Sequence, residues 1–588
     1  MPVTRSTNLS SPQRAAPRTK FDYNVPFFGD YNTTTDMSLM ADEDSPDCLN
    51  VVSDISESIG SRPGYTKLLT TSTPSFIGGM YSLYQSTGTK QLVYASGVYL
   101  YKYNNAGGST QLTGIPASFT ANQQWSMDEY QDNIYAGNGT DALVQYTGTQ
   151  VQVGNSAITP QFVKVHKNRI YCANKNSSTI YFSDTISPTS FPVNNFIVIN
   201  TNDGQNITGI SQILDNLIIF KDDSVWILTG EPLGAGNTTT IGNLQLRQAN
   251  GSAGCSAFKT IALVDQTLFF MHSTGIYALQ NYNVTLVTPF LNTTFKNGMN
   301  PNVINLCWGV YSKQEKKYIL GYPSAGSNTP DSVLMYDFLI KKFRPWDHMP
   351  GNCAVNYKFS GTQETLLMGD PIKGNIYELL QGNADIAGDN GTATGGSSTT
   401  LVDTTKGWTT NNFVDCRVGL VTTNSHGGIT VSYIGVVTSN TSNTLTFAST
   451  AQTPASGSVY TIGYFNSYWK TRNFDFEMVG YTKKYRFLNL FADAYTYNMQ
   501  FGYAVDFQSL AFQKAFRLST TAPIWGTMIW GSFIWGGNTS EFGQANIGST
   551  GRYIQTMFGN TLANQPWRVI RYSFSYKLKK MRPNITTT

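Results

Sequence analysis

Ser96-Gly-Val-Tyr-Leu-Tyr101, Asp141-Ala-Leu-Val-Gln-Tyr146, Ser178-Thr-Ile-Tyr-Phe182, Asp223-Ser-Val-Trp-Ile-Leu228, Thr274-Gly-Ile-Tyr-Ala-Leu279, Ser332-Val-Leu-Met-Tyr336 and Gly374-Asn-Ile-Tyr-Glu-Leu379 are seven versions of one phrase. Each opens on a small polar residue or glycine and runs into aliphatic and aromatic side chains, the pattern of a short strand behind a turn. Taking Val98, Leu143, Ile180, Val225, Ile276, Leu334 and Ile376 as markers, the gaps are 45, 37, 45, 51, 58 and 42 residues. Their mean of about 46 is the period of β-propeller blades. Upstream of several markers lies a second repeated unit: Tyr130-Gln-Asp-Asn-Ile-Tyr-Ala136, His166-Lys-Asn-Arg-Ile-Tyr-Cys172, Leu214-Asp-Asn-Leu-Ile-Ile-Phe220 and Val264-Asp-Gln-Thr-Leu-Phe-Phe270. A polar pair between two apolar runs reads as strand, tight turn, strand. One hairpin cannot bury both faces, whereas radial stacking of many can, and it leaves only short edges. The spacing predicts an all-β fold built on a propeller of six or seven blades; a large sandwich is the competing arrangement.

Outward from the repeat the texture changes. Residues 385–464 hold only Asp385, Asp389, Asp403, Lys406, Asp415 and Arg417 as charges and are rich in Thr, Ser and Gly. Alternating runs such as Ile429-Thr-Val-Ser-Tyr-Ile434 and Thr444-Leu-Thr-Phe447 predict a small inserted β module there. Longer strands follow: Tyr485-Arg-Phe-Leu-Asn-Leu-Phe491, Met499-Gln-Phe-Gly-Tyr-Ala-Val505 and Val569-Ile-Arg-Tyr-Ser-Phe-Ser-Tyr576. The expected division is a basic arm over 1–44, the propeller over 45–384, the module over 385–464, and a C-terminal β-sandwich with a basic tail over 465–588. The last region can also supply the strand that closes the propeller.

Composition narrows the function classes. Of 588 residues only 13% are charged, while Tyr and Phe number 34 and 33. That favours strands and turns over charged surface helices. Collagen, coiled coil and wholesale disorder are excluded, and no apolar run approaches the roughly 20 residues that span a bilayer. The polar N-terminus does not read as a signal peptide. The net charge is +4, but residues 1–20 carry Arg5, Arg14, Arg18 and Lys20 with no acid. Arg568, Arg571, Lys577, Lys579, Lys580 and Arg582 form a second acid-free set of six, leaving 21–567 at −6. A protein that grips DNA neutralises phosphates with a basic face, and this body has no such surplus. The tails fit either solvated docking arms or contacts to nucleic acid or an acidic partner.

Catalytic and metal signatures are not found in the sequence. The six Cys (Cys48, Cys172, Cys255, Cys307, Cys353 and Cys416) form no CxxC pair and read as isolated buried thiols. Four scattered His (166, 272, 348 and 426) match no zinc pattern, so no cofactor or metal is expected. His166 reads as structural, and Cys416 with His426 lacks a thiol-protease frame. Asp128/Glu129 and Asp222/Asp223 are adjacent in sequence, so on a strand they face apart and do not make a glycosidase pair; they read as turn or rim residues. Ser183-Asp184 lacks the Trp that completes a sialidase Asp-box. Three Ile-Trp-Gly triplets place Trp525, Trp530 and Trp535 five residues apart. On a strand Trp525 and Trp535 share a face and Trp530 takes the other. They fit core packing or a subunit seam, or else a membrane-touching or sugar-stacking loop.

Ser45-Pro-Asp-Cys-Leu-Asn-Val51, followed by Gly60-Ser-Arg-Pro-Gly-Tyr-Thr-Lys67, resembles the opening of the tail nozzle or packaged-DNA-stabilisation proteins of short-tailed bacteriophages. The hairpin repeat, the Ser183-Asp-Thr-Ile-Ser-Pro188 turn, and the region from Tyr468-Trp-Lys-Thr471 through the Trp-Gly repeats to Arg582-Pro583 are also similar. The resemblance is distributed over most of 45–583, and the 385–464 insert departs from the simplest members. It implies a non-enzymatic virion protein in the phage tail: a propeller-bearing subunit of a ring, commonly a hexamer, below portal and adaptor. The lumen of such a ring retains and then conducts double-stranded DNA without reading its sequence. The implied partners are copies of itself, adaptor or connector proteins, tail fibres and, transiently, the host surface. Trp525, Trp530, Trp535, Arg5, Arg14, Arg18, Lys577, Lys579 and Lys580 are the candidate interface residues. The alternative is a glycan-binding receptor protein of the tail, and a third reading is a hydrolytic tailspike.

Overall fold

The computed structural model describes residues 20–231, 243–359, 361–493, 496–516 and 540–579. Seven four-stranded antiparallel sheets follow one another from Ile77 to Leu379 as the seven blades of a β-propeller. Six of the seven markers lie inside the third strand of a blade, and Val98 lies directly before its third strand, Tyr99–Tyr103. The polar pairs make two-residue turns with left-handed backbone: φ is 51° and 63° at Gln131 and Asp132, and 45° and 58° at Lys167 and Asn168. That geometry matches the twist of the flanking strands, which is why Asp, Asn and Gln recur there.

The ring closes from the N-terminal side. Blade 7 takes three strands from Cys353–Tyr357, Thr365–Gly369 and Ile376–Leu379, and its outer strand is Tyr65–Lys67, paired Tyr377↔Lys67 and Leu379↔Tyr65. The closing strand thus comes from before blade 1 rather than from the region after 465. Neighbouring blades also stitch their leading strands together. Ser82 Oγ donates to the Asn356 carbonyl (2.7 Å), and Asn356 Nδ2 donates to the Tyr311 carbonyl (2.8 Å). Val165 N–H donates to Asp128 Oδ2 (2.8 Å).

Asp389–Ile462 folds as a separate seven-stranded antiparallel module. Its 12-residue strand Ile429–Asn440 pairs with Arg417–Thr423 along its first part and with Thr444–Phe447 along its end. The sheet therefore curls around Leu401, Val418, Ile434, Leu445, Tyr460 and Ile462, all buried.

The sandwich is assembled from both ends of the chain. One sheet runs Val51–Ser53, Ile59–Ser61, Arg568–Leu578, Lys483–Asp493, Ser540–Asn546, with Lys20–Val25 also paired to Arg568–Leu578. The other runs Asp47–Leu49, Ser467–Lys470, Ile554–Asn560, Met499–Val505, Lys514–Phe516. Phe28, Trp469, Phe474, Phe501, Phe558, Tyr572 and Phe574 fill the space between them. The arm expected over 1–44 is therefore structured from Lys20 onward. Residues 47–61 belong to the sandwich and not to the propeller, because their side chains complete this aromatic core.

Candidate interdomain junction

Arg62, of the Arg62-Pro63-Gly64 stretch, lies where propeller, module and sandwich meet, and it is fully buried. All five guanidinium N–H groups are used. Nε donates to Asn50 Oδ1 (2.8 Å), and Nη1 and Nη2 form a fork onto Asp385 Oδ1 and Oδ2 (2.8 and 2.9 Å). The other two reach the carbonyls of Pro63 (3.0 Å) and Asp347 (3.2 Å). The guanidinium also lies 3.9 Å from the Phe465 ring centroid. A planar five-donor cation is the side chain that can hold a carboxylate, two carbonyls, an amide and a ring at once. Asp385 heads the module, Phe465 follows it, Asp347 ends blade 6, and Asn50 lies between two sandwich strands.

Asn50 shares the work from a left-handed backbone position (φ 52°), donating to Asp347 Oδ1 and to the Asn466 carbonyl (2.8 Å). Gly64 is required by proximity, since a Cβ there would lie 1.8 Å from the Ala384 carbonyl oxygen. Burial pushes the Asp385 carboxyl up, against the pull of Arg62. Burial also works to raise Asp347, but hydrogen bonds from His348 and Asn50 and the Arg62 charge outweigh it and hold the carboxyl low.

Three further contacts fix the same assembly. Asp415, in the module, meets Lys67 Nζ (2.5 Å) on the closing strand and Lys373 in blade 7. The two ammonium groups overcome burial and hold the Asp415 carboxyl below its ordinary range. The module hairpin tip reaches the sandwich: Asn424 Nδ2 donates to the Gln513 carbonyl (2.9 Å), and the His426 carbonyl accepts from Ala515 N–H (3.1 Å). Between blade 6 and the sandwich, buried Arg344 donates to the Gly29 carbonyl (2.7 Å) and Ser53 Oγ (2.8 Å), and lies 5.3 Å from the Trp469 ring centroid.

One end of the propeller's axis is crossed by side chains. Lys259, before blade 5, donates to Gln124 Oε1, before blade 2, and to the Asn352 carbonyl (3.0 Å), before blade 7. Asn352 Nδ2 in turn reaches the Ile77 carbonyl of blade 1 (2.7 Å). Leading segments of non-adjacent blades meet only at the axis of a ring. Lys259 is surrounded by protein while its surface stays partly open to water, and desolvation pulls its ammonium down to about 8.

Of the interface residues expected from sequence, Trp525, Trp530, Trp535, Arg5, Arg14, Arg18 and Lys580 lie outside the described residues. Lys577 stands opposite Lys20 and Lys484 on adjacent strands, and Lys579 N–H donates to the Thr482 carbonyl (2.9 Å). All six Cys are buried and unbridged, and burial pushes the Cys416 thiol up to about 12. Cys416 precedes Arg417–Thr423 and His426 follows it, so about 23 Å of extended strand separates them. His166 is buried and faces Gln212 of the next blade (3.3 Å). Asp222/Asp223 form a turn as expected, but Asp128/Glu129 lie within the leading strand Ser126–Tyr130 of blade 2. Asp128 is tied to Lys164 (2.8 Å), Tyr81 (3.1 Å) and Val165 N–H, a set that joins blades 1, 2 and 3.

Sequence reading passed over the Arg62–Asp385 and Asp415–Lys67 pairs and Lys259. The available signal was Arg62 itself, the first base after Lys20 in a run holding nine acids. No protein-family model matches the chain, and no curated protein matches it. Among solved structures the chain is similar to the Neurospora crassa Pan2 WD40 domain, at 9% identity and a TM-score of 0.36, over 55% of this chain and 98% of that one.

Proposed function

We propose that the protein is a structural subunit of a short-tailed phage tail, a nozzle or hub component whose copies form a ring that retains and then conducts the duplex genome. The observation that carries this reading is the position of the two stretches that resemble the nozzle family. Ser45–Val51 and Gly60–Lys67 are the segments that pass from sandwich to propeller, and they hold the Arg62 junction. A part that bears load must keep its bodies in one arrangement, and a buried fork-to-fork ion pair that accepts only one geometry supports that.

Two further features agree with it. The body from 21 to 567 carries a net charge of −6, so a passing duplex meets little phosphate neutralisation and little friction. Lys259, Gln124 and Asn352 cross the propeller's own axis, so the path for a duplex of about 20 Å runs between subunits and not through one propeller. In a closed ring each subunit offers two different patches, and the interface is heterologous.

Electron microscopy of the purified protein and of tails released from particles tests this. A closed ring with a lumen wide enough for duplex DNA, lying on the tail axis, is the expected result. A peripheral appendage on the tail would overturn it and favour the glycan-binding receptor reading.

A further inference from the structure

We infer that the cleft between the inserted module and the propeller is a saccharide-binding site. Its propeller wall is the segment that runs from the closing strand Tyr65–Lys67 to blade 1. Its module wall is the loop before Arg417–Thr423 together with the strand Ile429–Asn440. The cleft has a volume of about 750 Å³. A second hollow of about 610 Å³ continues from it, and Val414, Asp415 and Thr438 line both. Each lies within the roughly 300–1,000 Å³ of small-molecule sites.

The lining selects the ligand. Sites for cofactor-like molecules are mainly apolar with a few polar groups. Here the proportion is reversed: eleven of the sixteen residues around the larger hollow carry a hydroxyl or a carboxamide. Thr71, Ser72, Thr409, Thr410, Asn412 and Ser439 are all exposed, and none of these side chains hydrogen-bonds to another described residue. Hydroxyl and carboxamide groups both donate and accept. Two walls of such groups match a ligand that presents hydroxyls on every side, which is a sugar.

The smaller hollow adds an accessible ring. Tyr433 lines it and is 45% exposed, and the Arg417 guanidinium lies 5.2 Å from the ring centroid and supports it. An aromatic body with a polar tip can stack on the C–H face of a pyranose while its hydroxyl stays wet. Charge argues against a polyanion: Lys67 and Lys373 share the Asp415 carboxylate, which leaves one net positive charge. A phosphate chain needs several uncompensated cations. The same clasp joins the two walls, so they are in place before a ligand arrives and binding does not have to order them. The inference goes beyond the ring reading and stands whether or not copies form a ring.

The test is saturation-transfer NMR of the full-length protein with maltotriose, cellotriose, chitotriose and mannotriose. Each is supplied at about 10 mM, roughly tenfold above a millimolar dissociation constant. Transfer to at least one of the four is the expected result. Tyr433→Ala should weaken that binding by about 3- to 10-fold, whereas Tyr433→Phe, which keeps the ring, should bind as the unmodified chain does. The triple variant Thr410→Ala/Asn412→Ala/Ser439→Ala should weaken it by about 10-fold or more. Those three side chains make no internal hydrogen bond, so its thermal unfolding should be unchanged. A loss in one variant alone supports the proposal and places the sugar in that hollow. Transfer to none of the four would overturn the proposal. So would binding that neither variant weakens, which would put the sugar elsewhere on the chain. Displacement of the sugar by an equal concentration of tripolyphosphate would overturn it in favour of an anion site at Lys373.

Discussion

Arg62 concentrates the specificity of the assembly in one side chain. Removing one partner of a buried pair leaves the other charged and dry, at a cost of about 3–5 kcal/mol. Arg62→Ala is therefore expected to destabilise the chain by about that amount, read as a lowered denaturation midpoint. Arg62→Lys should recover only part of the loss, because an ammonium cannot make the fork to Asp385. Lys259 gives a second expectation. Its folded value of about 8 lies below the ordinary 10.5, so between those values the unfolded chain holds the proton more tightly. This group's contribution to stability thus rises with pH through that window. Competitive amine labelling should find Lys259 half neutral near pH 8; a half-point close to 10.5 would refute the enclosed setting described for it. Neither residue could be assigned a role from sequence. The partner of Arg62 is 323 positions away, and the acceptors of Lys259 are an amide and a carbonyl, which leave no charge pattern to read.

Elements were more legible than residues wherever they repeat. Val98 to Ile376 mark seven third strands because each blade must present the same apolar face to its neighbours, which imposes one phrase seven times. The three-residue closing strand Tyr65–Lys67 has no such period, and nothing local distinguishes it from a loop. Asp128/Glu129 misled for a related reason: an acidic pair resembles a turn, yet Asp128 is held inside a strand by Lys164 and Tyr81 from the adjoining blades. The clasp of Asp415 on Lys67 and Lys373 ties the module to the closing strand. Because the Asp415 carboxyl is held below its ordinary value, its contribution is complete above the unfolded value near 4 and is lost as pH falls through the lower folded one. Asp415→Asn should mimic the acid state and cost about 1–3 kcal/mol. Hydrogen exchange should show amides of Tyr65–Lys67 and of the loop before Arg417 losing protection at low pH, and in the variant at neutral pH. Unchanged protection in both would remove the clasp from the account.

At the scale of the whole molecule, the order of the sequence is not the order of the parts. The division read from composition set the module at 385–464, and the strands of that module run from Asp389 to Ile462; a change of texture is local and shows in the sequence. It put residues 20–44 in an arm and 45–61 in the propeller, because strands whose partners lie across the full chain carry no local sign of them. Deleting residues 1–19 should leave thermal unfolding unchanged, whereas deleting 1–61 should unfold the sandwich and open blade 7's neighbouring contacts; near-ultraviolet circular dichroism of the two truncations separates these outcomes. The pairing of Lys20–Val25 with Arg568–Leu578 also has a consequence in time. On a ribosome adding about 5–20 residues each second, the first strand waits roughly half a minute to two minutes for the partner that will cover it. The propeller can form during that interval, but the sandwich cannot, so a fragment released early carries an unsheltered edge and no finished end. Completion of the last strand is then the event that finishes the sandwich.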